Sequence, residues 1–418
     1  MDTDVRPVIV LLFVLDGEPD QHSLLEWHKE AARRLPRMAA RVVQRGGPLG
    51  TLRWEPDPSF DPARHIRRLS TSGKGTHAEL LQLVEGLAQT PFIPGRPLWE
   101  CYLIDALEGG RSAYVLKISH AIADGLRLRD LFLRQSADQA VPPEQTGPLD
   151  GPPGGSATTG STAPKTRAAS RMRRARDAVR FALLVAQDMR DLPPWPVGTG
   201  DGVARRYLTL DLPMEGVRAA ARAGDGTVQD ALVAGLAEGI HRYYTHSDLG
   251  RSRVRVFSPY GRAPLTRHNP SPVGNHWFIV RFDVPAPAPD LAARVRAARS
   301  AVRRVYRRDA LDWMGGVARM APFLPAPLLQ VSFRRFTASH DFIISNIPGS
   351  RSTLRIAGVS AEQVYGIAPS LGAAFTATTV SYRDACHVTI NIDPAVVGDV
   401  ELLGDCLRHG LEKVACRG

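Results

Sequence analysis

The sequence predicts an α/β protein built as two lobes of similar size. Strand-like and helix-like segments alternate in both halves, a stretch poor in large apolar residues divides them, and 418 residues exceed what one core ordinarily serves. The organisation read from this is an N-terminal lobe over 1–136, a linker with a basic amphipathic helix over 137–202, and a C-terminal lobe over 203–418.

Val8–Leu15 is a continuous apolar, β-branched run, the composition of a strand covered on both faces. Residues 23–40 carry Leu24, Leu25, Trp27, Ala31, Ala32, Leu35 and Met38 at roughly helical spacing. A strand and loop follow at 51–58, then a helix at 77–89 through Leu80, Leu81, Val84 and Leu87. Segments 98–107 and 112–119 read as strands joined by Glu108-Gly109-Gly110-Arg111, a turn of hairpin composition. An amphipathic segment then runs to about Arg134.

Residues 137–165 are Pro, Gly, Ser, Thr and Ala with almost no large apolar group, which is linker composition. Residues 167–190 begin strongly basic and continue through Val179, Phe181, Leu183, Leu184 and Met189. Two readings stand: a helix packed on the body, or an interfacial helix whose Arg face touches anionic lipid.

In the second half, strands are expected at 205–212, 253–258, 277–284, 342–345, 376–382 and 387–392. Helices are expected at 227–241, at 290–307 and from Val400 onward. Thr227 followed by Asp230 has the spacing of a capping box with Asp in place of Glu.

Composition narrows the function. Lys plus Arg number 53 against 42 Asp plus Glu, a net charge of +11 that favours phosphate-bearing partners without choosing among them. No helix-turn-helix, RNP or zinc-finger pattern is present, so no nucleic-acid partner is expected. Cys101, Cys386, Cys406 and Cys416 form no CxxC and no metal-ligand spacing, which fits a reducing cytosol and predicts no metal. The run at 8–15 is too short to span a bilayer and lacks signal-peptide flanks. The expected location is cytoplasmic, with peripheral contact at the inner membrane face through 167–190 as the extension.

Ser119-His120-Ala121-Ile122-Ala123-Asp124-Gly125 closes the second of the paired strands. An imidazole titrates near neutrality, so it can take a hydroxyl proton and later return it. That work needs a ring held at the rim of a rigid element, and a strand end supplies one. Gly125 offers backbone freedom for an immediate turn, and Asp124 a hydrogen-bond acceptor to hold it. His-x-x-x-Asp alone arises by chance about once in a chain of this composition, and the trailing glycine makes it rarer. No GxSxG elbow, Walker A loop or HExxH is present.

The run Arg96-Pro-Leu-Trp-Glu100, then Leu103 to Gly110, then Lys117-Ile-Ser-His-Ala-Ile-Ala-Asp-Gly125 resembles the wax ester synthase/diacylglycerol acyltransferase family. That family carries PLWE, a Gly-Gly hairpin and HHxxxDG in this order. Thr227-Val-Gln-Asp230 is similar to its TVND segment, Gly274-Asn275 to its GN strand entry, Ser345-Asn-Ile-Pro-Gly349 to its SNVPG turn, and Val380-Ser-Tyr382 to its SY strand. The first histidine of the motif is Ser119 here, and the TVND asparagine is Gln229.

The resemblance implies two chloramphenicol-acetyltransferase-like lobes, each a mixed sheet flanked by helices, with the active-site channel between them. It implies that His120 is the general base, Asp124 a structural partner and Gly125 the turn. It places Ser119, Trp99, Asn275, Ser345, Asn346 and Gly349 along the substrate path, and Asp230 as support for the second lobe. The implied reaction moves an acyl group from acyl-CoA, a co-substrate rather than a bound cofactor, to the hydroxyl of a small molecule or lipid. A carrier-protein-bound donor, an amine acceptor and a non-catalytic acyl-binding relative are the other readings.

Overall fold

A computed structural model describes residues 8–45, 51–138, 204–261, 277–307, 340–369 and 372–416. The linker from residue 139, the basic segment 167–190, and Gly274, Asn275 and His276 lie outside the described residues.

The first lobe holds a six-stranded mixed sheet, whose spatial order is β11 (Arg355–Ile356), β12 (Val359–Ile367), β1 (Val8–Leu15), β6 (Arg111–Ser119), β5 (Trp99–Leu107) and β4 (Ile66–Ser70). β1 sits mid-sheet, antiparallel to β12 on one side and β6 on the other. Its unbroken apolar run follows from that: Leu11, Phe13 and Leu15 pack under α1 (Gln21–Arg34) and α3 (Gly125–Asp138). Val10, Leu12 and Val14 pack under α2 (His77–Gln89) on the opposite face. Thr76 and Glu79 start α2 with a reciprocal capping box.

The second sheet is also six-stranded and mixed: β7 (Arg206–Pro213), β14 (Ala385–Ile392), β13 (Phe375–Tyr382), β10 (Phe342–Pro348), β8 (Arg253–Gly261) and β9 (Trp277–Pro285). One face is apolar, carrying Leu210, Val388, Ile390, Phe375 and Phe342 beneath α4 (Met214–Ala223), α5 (Val228–His246), α6 (Leu291–Arg307) and α7 (Val400–Ala415). α5 and α7 approach backbone to backbone: a Cβ at Gly410 would lie 2.2 Å from the Gly235 carbonyl oxygen. The capping box expected at Thr227 and Asp230 is present.

The other face of this sheet meets the first lobe: it is polar along β7 and β14, and apolar where Ile347, Val380 and Tyr382 join the first-lobe core. Asp211 on β7 accepts from Tyr365 Oη–H at 2.8 Å, Gln363 Nε2–H at 2.7 Å and His387 Nδ1–H at 2.6 Å. His77 Nε2 lies 2.7 Å from Thr209 Oγ1, and the Tyr207 N–H donates to Glu85 Oε1 at 2.6 Å. Burial works to raise the Asp211 pKa, but the hydrogen bond and charge of His387, helped by Tyr365, leave it below the usual carboxylate value. A chain of directed bonds therefore fixes how the lobes sit.

Three differences from the sequence reading have local causes. The first helix stops at Arg34, not residue 40, because Pro36 cannot continue it; Pro36–Ala39 is a 3₁₀ turn leading into β2 (Ala40–Arg45), which pairs with β3 (Thr51–Pro56). α4 follows β7 with no loop, so no break in composition announces it. β11 and β12 come from late in the chain yet complete the first sheet, so the sequence boundary at 203 is not the boundary between sheets.

Candidate functional site

β6 is buried along its length up to Ser119, then leaves the sheet at His120. The turn is closed by its own first residue. The Ser119 carbonyl accepts the Ile122 N–H at 2.9 Å, and Ser119 Oγ accepts the Ala121 N–H at 3.3 Å. Ile122 and Ala123 are 1% and 2% exposed, so the turn is tied down by apolar burial as well. Asp124 Oδ1 then accepts the Arg127 N–H at 2.9 Å, the bond of an N-cap, and starts α3. His120 is left half-buried, between the sealed strand and the exposed Ala121.

Gly125 plays a different part from the one expected. It is the first residue of α3, and it is not among the residues with positive φ. Space is what it supplies: a Cβ there would stand 2.9 Å from Ile347 Cδ1. Ile347 lies inside Ser345-Asn-Ile-Pro-Gly349, so the two motifs touch across the lobe junction.

β10 carries that second motif beside β13, in parallel register from Phe342↔Phe375 to Pro348↔Ser381. Asn346 Oδ1 accepts the Thr379 hydroxyl at 2.9 Å, and Ser345, opposite Thr378, is half-buried. Gly349 donates its N–H to Ser381 Oγ at 3.1 Å, and a Cβ on it would fall 2.0 Å from the Ser381 carbonyl oxygen. Arg129 Nη1 donates to the Pro348 carbonyl at 3.3 Å. Between these elements lies a cavity of about 40 Å³, almost wholly apolar, lined by Phe13, Phe132, Leu354, Val364, Val380 and Tyr382 with Gly125 and Gly349.

Not every expected residue joins this group. Trp99 is 0% exposed and offers no face to a substrate. Its ring stacks between His28 at 5.3 Å and His65 at 4.5 Å, and Nε1–H donates to the Met38 carbonyl at 2.8 Å. His28 Nδ1–H donates to the Leu24 carbonyl at 2.8 Å, so its neutral ring takes the Tyr114 hydroxyl on Nε2 at 3.1 Å. Burial lowers the His28 pKa to about 4. The expectation that Trp99 borders the substrate path is corrected: it is the centre of a ring stack in the core. Asn275 lies outside the described residues. Asp230 caps α5, and Gln229 Nε2–H donates to Ser258 Oγ at 2.8 Å.

Sequence reasoning missed a buried ion pair behind the same strands. Lys117, 0% exposed, bonds Glu100 Oε2 at 3.0 Å and the Thr90 carbonyl at 2.7 Å, and Tyr102 Oη–H adds a bond to Glu100 at 2.7 Å. A lysine within an apolar strand was the available signal, since such a charge needs a partner. Burial pushes the Cys386 thiol up to about 12 and the Cys101 thiol higher still, which removes both as nucleophiles. No cluster of metal-binding side chains occurs among the described residues, and none of their helices is long and apolar enough to cross a membrane.

A half-buried imidazole at a strand end thus stands beside the junction of two mixed sheets. Residues 10–232 match the wax ester synthase/diacylglycerol acyltransferase catalytic domain, and residues 273–415 match that family's C-terminal domain. A Mycobacterium tuberculosis protein named as a diacylglycerol O-acyltransferase is 27% identical over 98% of this chain and 88% of its own. The wax ester synthase/diacylglycerol acyltransferase from Marinobacter aquaeolei VT8 superposes with a TM-score of 0.63 at 20% identity, over 99% of this chain and 95% of that one. The first condensation domain of the CDA synthetase gives 0.59 at 17% identity, over 98% and 92%. The chain belongs to the wax ester synthase/diacylglycerol acyltransferase family, and its fold is the chloramphenicol-acetyltransferase-like pair of lobes.

Proposed function

We propose that the protein transfers an acyl group from acyl-CoA to the hydroxyl of an alcohol or lipid-like acceptor, with His120 as general base. The observation that carries this reading is the contact of the SHAIADG and SNIPG segments through Gly125 and Ile347, which puts the turn bearing a half-buried imidazole at the lobe junction. The adjoining cavity supports it: the lining suits a hydrocarbon chain, although its present size takes only a short piece of one.

In the proposed step His120 accepts the hydroxyl proton as the acceptor oxygen attacks the thioester carbonyl carbon. The tetrahedral intermediate collapses, the C–S bond breaks, and the thiolate leaves with the proton His120 took. A C–O ester bond replaces the thioester, and no covalent enzyme intermediate or bound cofactor is needed.

The test supplies purified protein with acyl-CoA of graded chain length and a panel containing a long-chain alcohol, a diacylglycerol and a primary amine. Free thiol is followed and products are weighed by mass spectrometry. Ester formed in step with acceptor-dependent thiol release is the expected result. Amide product, or turnover only when an acylated carrier protein replaces acyl-CoA, would transfer the assignment to those chemistries. Tight acyl-chain binding without turnover would make the protein a binding relative.

A further inference from the structure

We propose that Arg37 is a positioning residue for His120, held in place by the turn that Trp99 anchors. The inference rests on reading His120 as the base. It starts from Pro36–Ala39, the 3₁₀ turn that ends the first helix. Met38 within it is 1% exposed, and its carbonyl takes the Trp99 indole N–H, so the turn is pinned to the core from below. Arg37 points the other way. Its guanidinium lies over the Trp54 ring, 5.3 Å from the centroid, and Nη1–H donates to the Ala121 carbonyl at 2.7 Å across 84 residues of sequence.

Ala121 follows His120 directly. Its N–H is held by Ser119 Oγ at 3.3 Å, a long bond, and its carbonyl by Arg37. Both peptide planes flanking Ala121 are thus fixed, and with them the direction in which the preceding Cα sends the imidazole. The carbonyl bond is the stronger clamp, being short and charge-assisted. Stacking on Trp54 limits the side-chain freedom lost in making it. Trp99 accordingly acts on the site from a distance: it fixes the turn that carries the brace and touches no substrate. A lapse in the brace leaves the ring present but loosely aimed, and misplacement of about 1 Å costs on the order of 100-fold in rate.

Arg37→Met keeps the stem over Trp54 and removes the donor; Arg37→Lys restores one donor. The expected result for Arg37→Met is a kcat lowered about 10- to 100-fold, KM for acyl-CoA and alcohol within about twofold, and a shifted acid limb in the kcat–pH profile. Arg37→Lys is expected to recover a substantial part of kcat. With histidine ring carbons labelled, and the His120 signal assigned by its loss in His120→Ala, Arg37→Met is expected to move or broaden that signal while those of His28 and His65 stay. An unchanged kcat, or a kcat loss with the His120 signal unmoved, overturns the proposal. If the wild-type protein turns over no substrate, the base assignment falls, and the ring signal alone then decides whether Arg37 positions His120.

Discussion

His120 and His28 stand in the same lobe, and nothing in their residue type separates them. His28 is 1% exposed on α1, bonded on both nitrogens and stacked on Trp99, so it is fixed as a neutral ring. His120 sits where β6 runs out, on a turn closed by Ser119 and braced by Arg37. One is a packing element with a polar edge. The other has its backbone held and its side chain only half-buried, the arrangement that the proposed proton transfer needs. The difference comes from placement against the sheet: mid-face rings are covered, strand-end rings are not.

The comparison is broken most forcefully at Trp99. Trp99→Ala empties the space between His28 and His65 and frees the Met38 carbonyl, at an expected cost of about 3–5 kcal/mol. Chemical denaturation should show it as a lower midpoint with an unchanged slope. Loss of activity with full stability would instead return Trp99 to the substrate path.

Acid tests the His28 side. Its folded pKa, about 4, lies below the ordinary 6.5, so between those values the unfolded chain takes up a proton that the native chain refuses. Stability from this ring is complete above about pH 6.5, falls as pH drops toward 4, and is level below. The whole loss amounts to roughly 3 kcal/mol at most. His65, also lowered by burial, adds to the same limb. His28→Gln keeps a polar group and removes the titration, so its melting temperature between pH 7.5 and 4.5 should fall less steeply than that of the wild type. Equal slopes would contradict the buried neutral ring.

A finer contrast concerns the two cavity glycines. A Cβ on Gly349 meets the backbone oxygen of Ser381, which cannot swing aside; one on Gly125 meets the end of Ile347, which can. Gly349→Ala is expected to cost about 1–3 kcal/mol. Gly125→Ala should stay within about 1 kcal/mol of wild type, since better helix propensity offsets the contact. Thermal melts of the two variants check the ranking.

Much of this was readable in the chain. The uniform apolar run of β1 announced a central strand, Thr227 and Asp230 announced a helix start, and the SHAIADG and SNIPG segments named both sides of the junction. What escaped was non-local. Val359–Ile367 contains Ser, Glu and Gln and pairs with β1 across some 350 residues, which no local pattern marks. The ring stack joins His28, His65 and Trp99 from three elements, so no spacing records it. Glycine at 125 suggests conformational freedom because sequence shows a missing side chain but not what fills its place.

The central claim is tested most directly by acceptor-dependent thiol release from acyl-CoA at saturating substrate, compared between the wild type and His120→Ala, with circular dichroism and melting temperature matched. The account predicts a kcat about 10²- to 10⁴-fold lower in the variant, with its fold intact. A folded His120→Ala protein that releases thiol within a factor of two of the wild type would contradict it.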